Sequence, residues 1–276
     1  MVTREFGSTG VKVPIIGQGT WQMESGGEVA LRRGIELGMT HIDTAEMYTG
    51  AEEIVAKAIQ GQRHKVFLVS KVLPTNASYR GTLKACDASL QRLKTDYLDA
   101  YLLHWWSGAH PVSETMRAME ELVAAGKTRF VGVSNLAVHE LEKAQQGLTR
   151  ETIVCNQVLY SLKSRGIEYR LIPYCAERDV AVVAYTPFGP GTFPAASTNQ
   201  GRILSTIATK HAKTPRQVAL NFLTHHRNVF TIPKAGNTNH VRENAGAAGW
   251  ELDAEDLRLI DSVFPPPQKD APLDMV

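Results

Sequence analysis

A chain of 276 residues is long enough for one large domain or two small ones, and 43% hydrophobic with 21% charged residues is the composition of an ordinary globular protein. That balance excludes a disordered or fibrous chain. The 30 Lys and Arg are nearly matched by 28 Asp and Glu and form no basic face, so nucleic acid is excluded as an expected partner.

The first ten residues lack the apolar core of a secretion signal, and no stretch reaches the roughly 18 apolar residues of a membrane span. A cytoplasmic protein without membrane contact is expected. The hairpin signal comes first: residues 4–6 and 11–13 flank the turn Gly7-Ser8-Thr9-Gly10. Short β-branched runs follow at 15–19, 40–43, 66–70, 98–103, 130–134, 153–157, 180–185 and 229–233, and each reads as a strand. Helical-period segments separate them at 28–37, 52–60, 79–93, 113–125, 138–145, 166–178 and 201–212, with Gly38, Gly126 and Gly147 closing three. Two more helices, at 240–248 and 254–263, precede the stop Pro265-Pro266-Pro267.

Eight strands alternating with helices at this length predict an α/β fold, a (β/α)8 TIM barrel. The hairpin would cover its bottom, and additional helices would follow the last strand. No linker or repeat interrupts the chain, so residues 1–276 are read as a single domain. The three cysteines, Cys86, Cys155 and Cys175, are odd in number and lack C-x-x-C spacing. They predict neither disulfides nor a metal site.

Barrel active sites lie at the carboxyl ends of the strands, so the polar residues there are the candidates. They are Asp43, Lys71, His104, Ser134, Asn135, Gln157, Tyr185 and Lys234, with Tyr48 five residues after Asp43. Each alone could be a turn cap, a solvated lysine or a packed core ring. Ionisable groups at the same end of consecutive strands would crowd or desolvate one another unless a site used them. Carbonyl reduction fits the set. It needs hydride at carbon and a proton for the developing alkoxide, and a tyrosine supplies the proton if an ammonium lowers its ordinary pKa of about 10. Lys71 takes that part for Tyr48, Asp43 holds Lys71, and His104 orients the substrate oxygen.

These residues stand in segments that resemble the aldo-keto reductase family from the hairpin to about Asn244: Gly17-Gln18-Gly19-Thr20-Trp21, Asp43-Thr44-Ala45-Glu46-Met47-Tyr48, Val69-Ser70-Lys71, Leu102-Leu103-His104-Trp105, Gly132-Val133-Ser134-Asn135, Asn156-Gln157, Ala184-Tyr185-Thr186-Pro187 and Ile232-Pro233-Lys234. The resemblance implies a catalytic tetrad of Asp43, Tyr48, Lys71 and His104, with Tyr48 as acid/base. It implies that Ser134, Asn135 and Gln157 bond the nicotinamide carboxamide and that Tyr185 stacks on its ring. Gly19, Thr20, Trp21, Thr186 and Pro187 join the expected cofactor contacts.

Residues 234–244 are similar to the family's adenosine-phosphate site, with Lys234, His240, Glu243 and Asn244 as expected contacts. The chain departs from the usual pattern at Ala235 and His240, where many members carry Ser or Thr and Arg. Lys234 remains, and Arg242 or a cationic His240 can stand in for the lost donors, so the cofactor expected is NADPH, with NADH as the alternative. No G-x-G-x-x-G follows a strand, in keeping with a cofactor bound on a barrel.

Trp21, Trp105 and Trp106 are expected to wall the substrate pocket. A short loop after Trp106 and a short tail after Pro267 predict an open mouth that admits small or medium aldehydes, including dicarbonyls. Small-molecule carbonyls are the expected partners, and the protein is read as a monomer or weak oligomer. Three readings compete: an enzyme working mainly in the alcohol or aldose dehydrogenase direction, a nicotinamide-binding regulatory subunit with little catalysis, and a (β/α)8 lyase or isomerase, which would place a phosphate site after the seventh and eighth strands and have no need of Tyr48.

Overall fold

A computed structural model describes all 276 residues, Met1–Val276. The hairpin is present: β1 (Thr3–Glu5) and β2 (Lys12–Pro14) pair antiparallel, with Arg4 opposite Val13. The turn between them is a short 3-10 helix, Gly7–Thr9, ended by Gly10 in the left-handed region.

Eight parallel strands follow in the order in which they occur along the chain. They are β3 (Gln18–Gly19), β4 (His41–Asp43), β5 (Phe67–Val72), β6 (Leu98–Leu103), β7 (Thr128–Ser134), β8 (Ile153–Leu159), β9 (Ala181–Tyr185) and β10 (Val229–Thr231). The ends of the sheet meet. Gly17 N–H donates to Thr231 O at 2.8 Å, and Thr231 N–H donates to Ile15 O at 2.9 Å. Gly19 bridges Lys234 one step further up. A Cβ at Gly19 would lie 2.6 Å from Ile232 O, so the closure itself requires glycine there. All eight expected strands exist, and the eight-stranded barrel is confirmed.

The helices are α1 (Gly27–Glu36), α2 (Ala51–Ile59), α3 (Tyr79–Leu93), α4 (Val112–Ala124), α5 (Val138–Gln146), α6 (Leu171–Glu177), α7 (Asn199–Lys210), α8 (Pro215–Leu223), α9 (Thr238–Ala245) and α10 (Ala254–Val263). One expectation is corrected, and one helix stands where none was expected. The segment 166–178 is not one helix: a 3-10 turn at Gly166–Glu168 is separated from α6 because Arg170 leaves helical geometry at φ −132°. The helix α8 was not anticipated. Its signal was in the chain, since Thr214-Pro215-Arg216-Gln217 is a capping box with proline in the first turn, and Thr214 accepts from Gln217 N–H.

Strand alternation divides the core in two. Outward residues such as Leu68, Tyr101, Val133 and Val182 pack with the helices in a cluster of 51 buried residues. Inward residues such as Val69, Leu102, Cys155, Val183 and Ile232 fill the barrel in a cluster of 20. The bottom is plugged by the hairpin: Phe6, fully buried, packs at 4.9 Å from the ring of Phe67 and 5.0 Å from Phe230. His41 lies in the same aromatic layer, edge-on to both Phe6 and Phe67. No helix is long and apolar enough to cross a membrane.

Candidate active site

Because parallel strands all end at one rim, residues far apart in sequence meet there. Asp43 is the last residue of β4, Ser134 of β7 and Tyr185 of β9. His104 directly follows β6, and Asn135 directly follows β7. Strands β5 and β8 run further than expected, so Lys71 and Gln157 project from within them into the barrel instead of lying at their ends. A pocket of about 420 Å3 opens at this rim, and Asp43, Tyr48, His104, Asn135 and Tyr185 all line it.

Under that pocket sits a buried ion pair. Lys71, fully buried, donates to Asp43 Oδ1 at 2.6 Å and to Thr44 O at 2.8 Å. Gln157 Nε2 donates to the other Asp43 oxygen, Oδ2, at 2.7 Å, and Thr20 Oγ1 donates to the Asp43 carbonyl at 2.9 Å. A pair so buried persists only when its lone pairs and protons are satisfied, as these are. Burial pushes the Lys71 ammonium down, but Asp43 and the Tyr48 phenol more than reverse this, and it stays charged with a pKa above the usual lysine value.

Tyr48 is held between two partners. Lys71 Nζ is 5.1 Å from the centre of its ring, and the His104 ring stands edge-on at 5.7 Å. Lys71 pulls the phenol down as expected, but burial, with Asp43 adding to it, outweighs that pull and leaves the Tyr48 pKa above its ordinary value. Tyr48 therefore rests protonated, as a donor must. Burial, with Lys71 adding to it, lowers the His104 pKa to about 3, so its ring is neutral. His104 Nδ1 is buried without a partner, and Nε2 is the nitrogen left to face the pocket.

The amide groups expected to hold a nicotinamide form one network beside this. Tyr185 OH donates to Asn135 Oδ1 at 2.9 Å, Asn135 Nδ2 donates to His104 O at 3.1 Å, and Ser134 Oγ donates to Gln157 O at 2.8 Å. Gln157 has its Nε2 committed to Asp43, which leaves Oε1 as its free acceptor. Asn135 at φ 59° and Thr186 at φ 51° are left-handed, and for β-branched Thr186 this conformation is strained. The network and the flanking wall of Gly19, Thr20, Trp21, Thr186, Pro187 and Lys234 offer a planar amide a ring to stack on and polar atoms to bond, so the residues fit a nicotinamide.

Three expected adenosine contacts stand outside this pocket, on α9. His240 is exposed, its Nδ1 3.1 Å from Asn237 Nδ2. Glu243 accepts from Thr214 Oγ1 at 2.7 Å, and Asn244 is buried. On the substrate side Trp21 and Trp105 line the pocket, but Trp106 does not. Its indole N–H donates to His110 O at 2.9 Å, and Lys143 lies over its ring at 4.6 Å.

Short as it is, the tail returns across the rim and puts Met275 and Val276 into the pocket wall, beside Met47 and Phe188. No periodicity after Pro267 signals this return. Glu46 was likewise missed: it accepts from Leu73 N–H and from Asn76 Nδ2, tying the Asp43 to Tyr48 loop to the loop after β5.

A protonated phenol over a buried cation, beside an amide-lined groove, is equipped to protonate an oxygen while a hydride reaches the neighbouring carbon. Fold and site together define an oxidoreductase built on a barrel. The chain belongs to the Aldo/keto reductase family, whose sequence profile matches residues 16–264. It is 44% identical over 274 residues to methylglyoxal reductase YeaE of Escherichia coli, covering 96% of each chain. Glyoxal reductase of Bacillus subtilis is 35% identical over 258 residues, covering 92% of this chain and 90% of that one. The crystal structure of an aldo-keto reductase from Klebsiella pneumoniae in complex with NADPH superposes with a TM-score of 0.93 at 43% identity over all of both chains.

Proposed function

We propose that this protein reduces aldehydes and ketones to alcohols with NADPH, with short 2-oxoaldehydes among its substrates, and that Tyr48 is the proton donor. The observation that carries this reading is the stack Asp43, Lys71, Tyr48 facing neutral His104. When bound, the reduced nicotinamide supplies the hydride. His104 Nε2 orients the carbonyl oxygen, and Tyr48 gives it a proton as charge develops there. The Lys71 ammonium stabilises the phenolate left behind, and Asp43 with Gln157 holds Lys71 in place. Ser134, Asn135 and the free oxygen of Gln157 receive the carboxamide, and Tyr185 backs the ring.

The relatives named for methylglyoxal and glyoxal reduction and the NADPH complex support the substrate class and the cofactor. Lys234 and Arg242 are the cations available to a 2′-phosphate, and His240 offers a ring nitrogen beside them in the sequence. Of the eight exposed large apolar residues, Trp21, Met47, Met275 and Val276 line the pocket, and the others are Met1, Val2, Val29 and Tyr169; a monomer or weak oligomer is the reading this distribution supports. A cytoplasmic enzyme fits the reduced cysteines.

Fluorescence titration with NADPH and NADH in parallel, followed by absorbance decay with methylglyoxal, tests the reading. NADPH should bind more tightly and be oxidised only when the carbonyl is present. Tyr48→Phe should lower kcat by a factor on the order of 10² to 10⁴ while NADPH binding changes little. Loss of binding in that variant, or full activity, would refute the assigned role.

A further inference from the structure

Tyr48 stands on neither a strand nor a helix. It lies in the turn between β4 and α2, with Met47 and Thr49 exposed on either side, so its chain neighbours are not fixed by packing. What ties this turn down is β5. Thr44 N–H donates to Val69 O at 2.9 Å, and Glu46 N–H donates to Lys71 O at 3.3 Å. The Glu46 side chain takes the next step along the same strand: Oε1 accepts from Leu73 N–H at 2.5 Å, and both carboxylate oxygens share Asn76 Nδ2, at 3.1 and 3.2 Å. The receiving loop is firm. Pro74–Asn76 is a 3-10 turn, Pro74 and Ala77 are buried, and Ala77 O accepts from Thr115 Oγ1 of α4 at 2.5 Å.

The peptide that Glu46 grips also holds His104. The Val72–Leu73 peptide unit gives its N–H to Glu46, and its carbonyl accepts from His104 N–H at 3.0 Å. One planar, rigid unit therefore joins the Tyr48 turn to the backbone of His104. The rings of these two residues stand edge-on, 5.7 Å apart. We propose that Glu46 is a positioning residue, which sets the separation of Tyr48 from His104 through the Val72–Leu73 peptide so that one carbonyl oxygen meets both side chains. It acts by reach and hydrogen bonding. The proposal rests on the reading of Tyr48 as proton donor and names what holds that donor in register. A misplacement of about 1 Å at a reacting group costs on the order of 10²-fold in rate, so a loosened turn lowers kcat. NADPH binding is spared, because the residues proposed to receive the nicotinamide, Ser134, Asn135, Gln157 and Tyr185, belong to β7, β8 and β9 and their ends.

The test compares three variants in the reduction of methylglyoxal by NADPH, with NADPH affinity and melting temperature measured beside the kinetics. Glu46→Ala removes the tether. Glu46→Asp keeps the charge but is one methylene short of Leu73 N–H. Glu46→Gln loses the charge but keeps an acceptor oxygen at the same reach, and Asn76 can turn its amide to meet the new N–H2 group. Glu46→Ala and Glu46→Asp should lower kcat about tenfold, with KM and the NADPH dissociation constant within about twofold of native. Glu46→Gln should keep kcat within about threefold of native, since the bond to Leu73 N–H survives. The melting temperature should fall by no more than about 4 °C in any of them. Full activity in Glu46→Ala, or Glu46→Asp active where Glu46→Gln is not, overturns the tether. A loss of kcat that comes only with loss of NADPH binding or of melting temperature in all three makes Glu46 a support of the fold and overturns it equally. Failure of the native enzyme to reduce methylglyoxal or any other carbonyl overturns the reductase reading beneath it.

Discussion

Lys71 concentrates the physical tension of this molecule in one side chain. It is fully buried, and the Asp43 carboxylate 2.6 Å away is what lets it stay charged. Removing only one member strands the other. Lys71→Met should therefore destabilise the fold by about 3 to 5 kcal/mol, read from urea denaturation, because it leaves Asp43 as an unpaired buried charge. Asp43→Asn combined with Lys71→Met should recover part of that stability and none of the activity. A double variant no more stable than Lys71→Met would show that the pair is not coupled as described.

Three histidines set the response to acid at the same scale. Burial lowers His41 and His104 to about 3 and His226 to about 4, from an ordinary value of 6.5. In the unfolded chain each takes up a proton as pH falls through 6.5, while in the folded chain each resists until pH 3 to 4. The unfolded state thus binds more protons in that window, and stability must fall as pH drops through it. His41 has no partner on either ring nitrogen and sits between Phe6 and Phe67. His41→Leu should make the decline in melting temperature between pH 6 and pH 4 shallower, and an unchanged slope would remove His41 from the account.

At the scale of elements, what the chain announces and what it conceals differ by the kind of signal involved. The helix over residues 79–93 is read correctly to the residue, because Ser78 caps it and its apolar positions keep helical spacing. Helix α8 carries an equally explicit cap, Thr214, whose hydroxyl accepts from Gln217 N–H and donates to Glu243. Its amphipathic period is blurred, because every residue of Val218–Leu223 is buried. Thr214→Ala should cost about 1 kcal/mol and lower the melting temperature by about 2 to 4 °C. The variant should keep its activity toward short aldehydes. No drop in melting temperature would mean that the cap contributes nothing beyond water.

For the whole molecule, the N-terminal hairpin is the stopper of the barrel, and Phe6 is the side chain that fills it. Phe6→Ala should destabilise by about 3 to 5 kcal/mol through the cavity left against Phe67 and Phe230. The site lies at the opposite rim, so KM for methylglyoxal should hold while stability falls. A changed KM with an unchanged melting temperature would reverse the roles assigned to the two ends of the barrel.

Read as a string, this chain determines its eight strands, its barrel and the polar residues at the carboxyl rim, because strand alternation, caps and rim position are local or periodic properties. It also carries the proposed tetrad, since Asp43, Tyr48, Lys71 and His104 stand in recognisable segments. The tertiary structure alone decided four other matters: that Gln157 bonds Asp43, that burial outweighs the lowering of the Tyr48 phenol by Lys71, that Trp106 turns away from the pocket, and that Met275 returns to wall it. Each depends on which atoms lie within a few ångströms across strands or across the rim, between residues distant in the chain, 114 positions apart in the case of Asp43 and Gln157. Desolvation and contact are properties of that closed arrangement, and no local pattern in the chain encodes them.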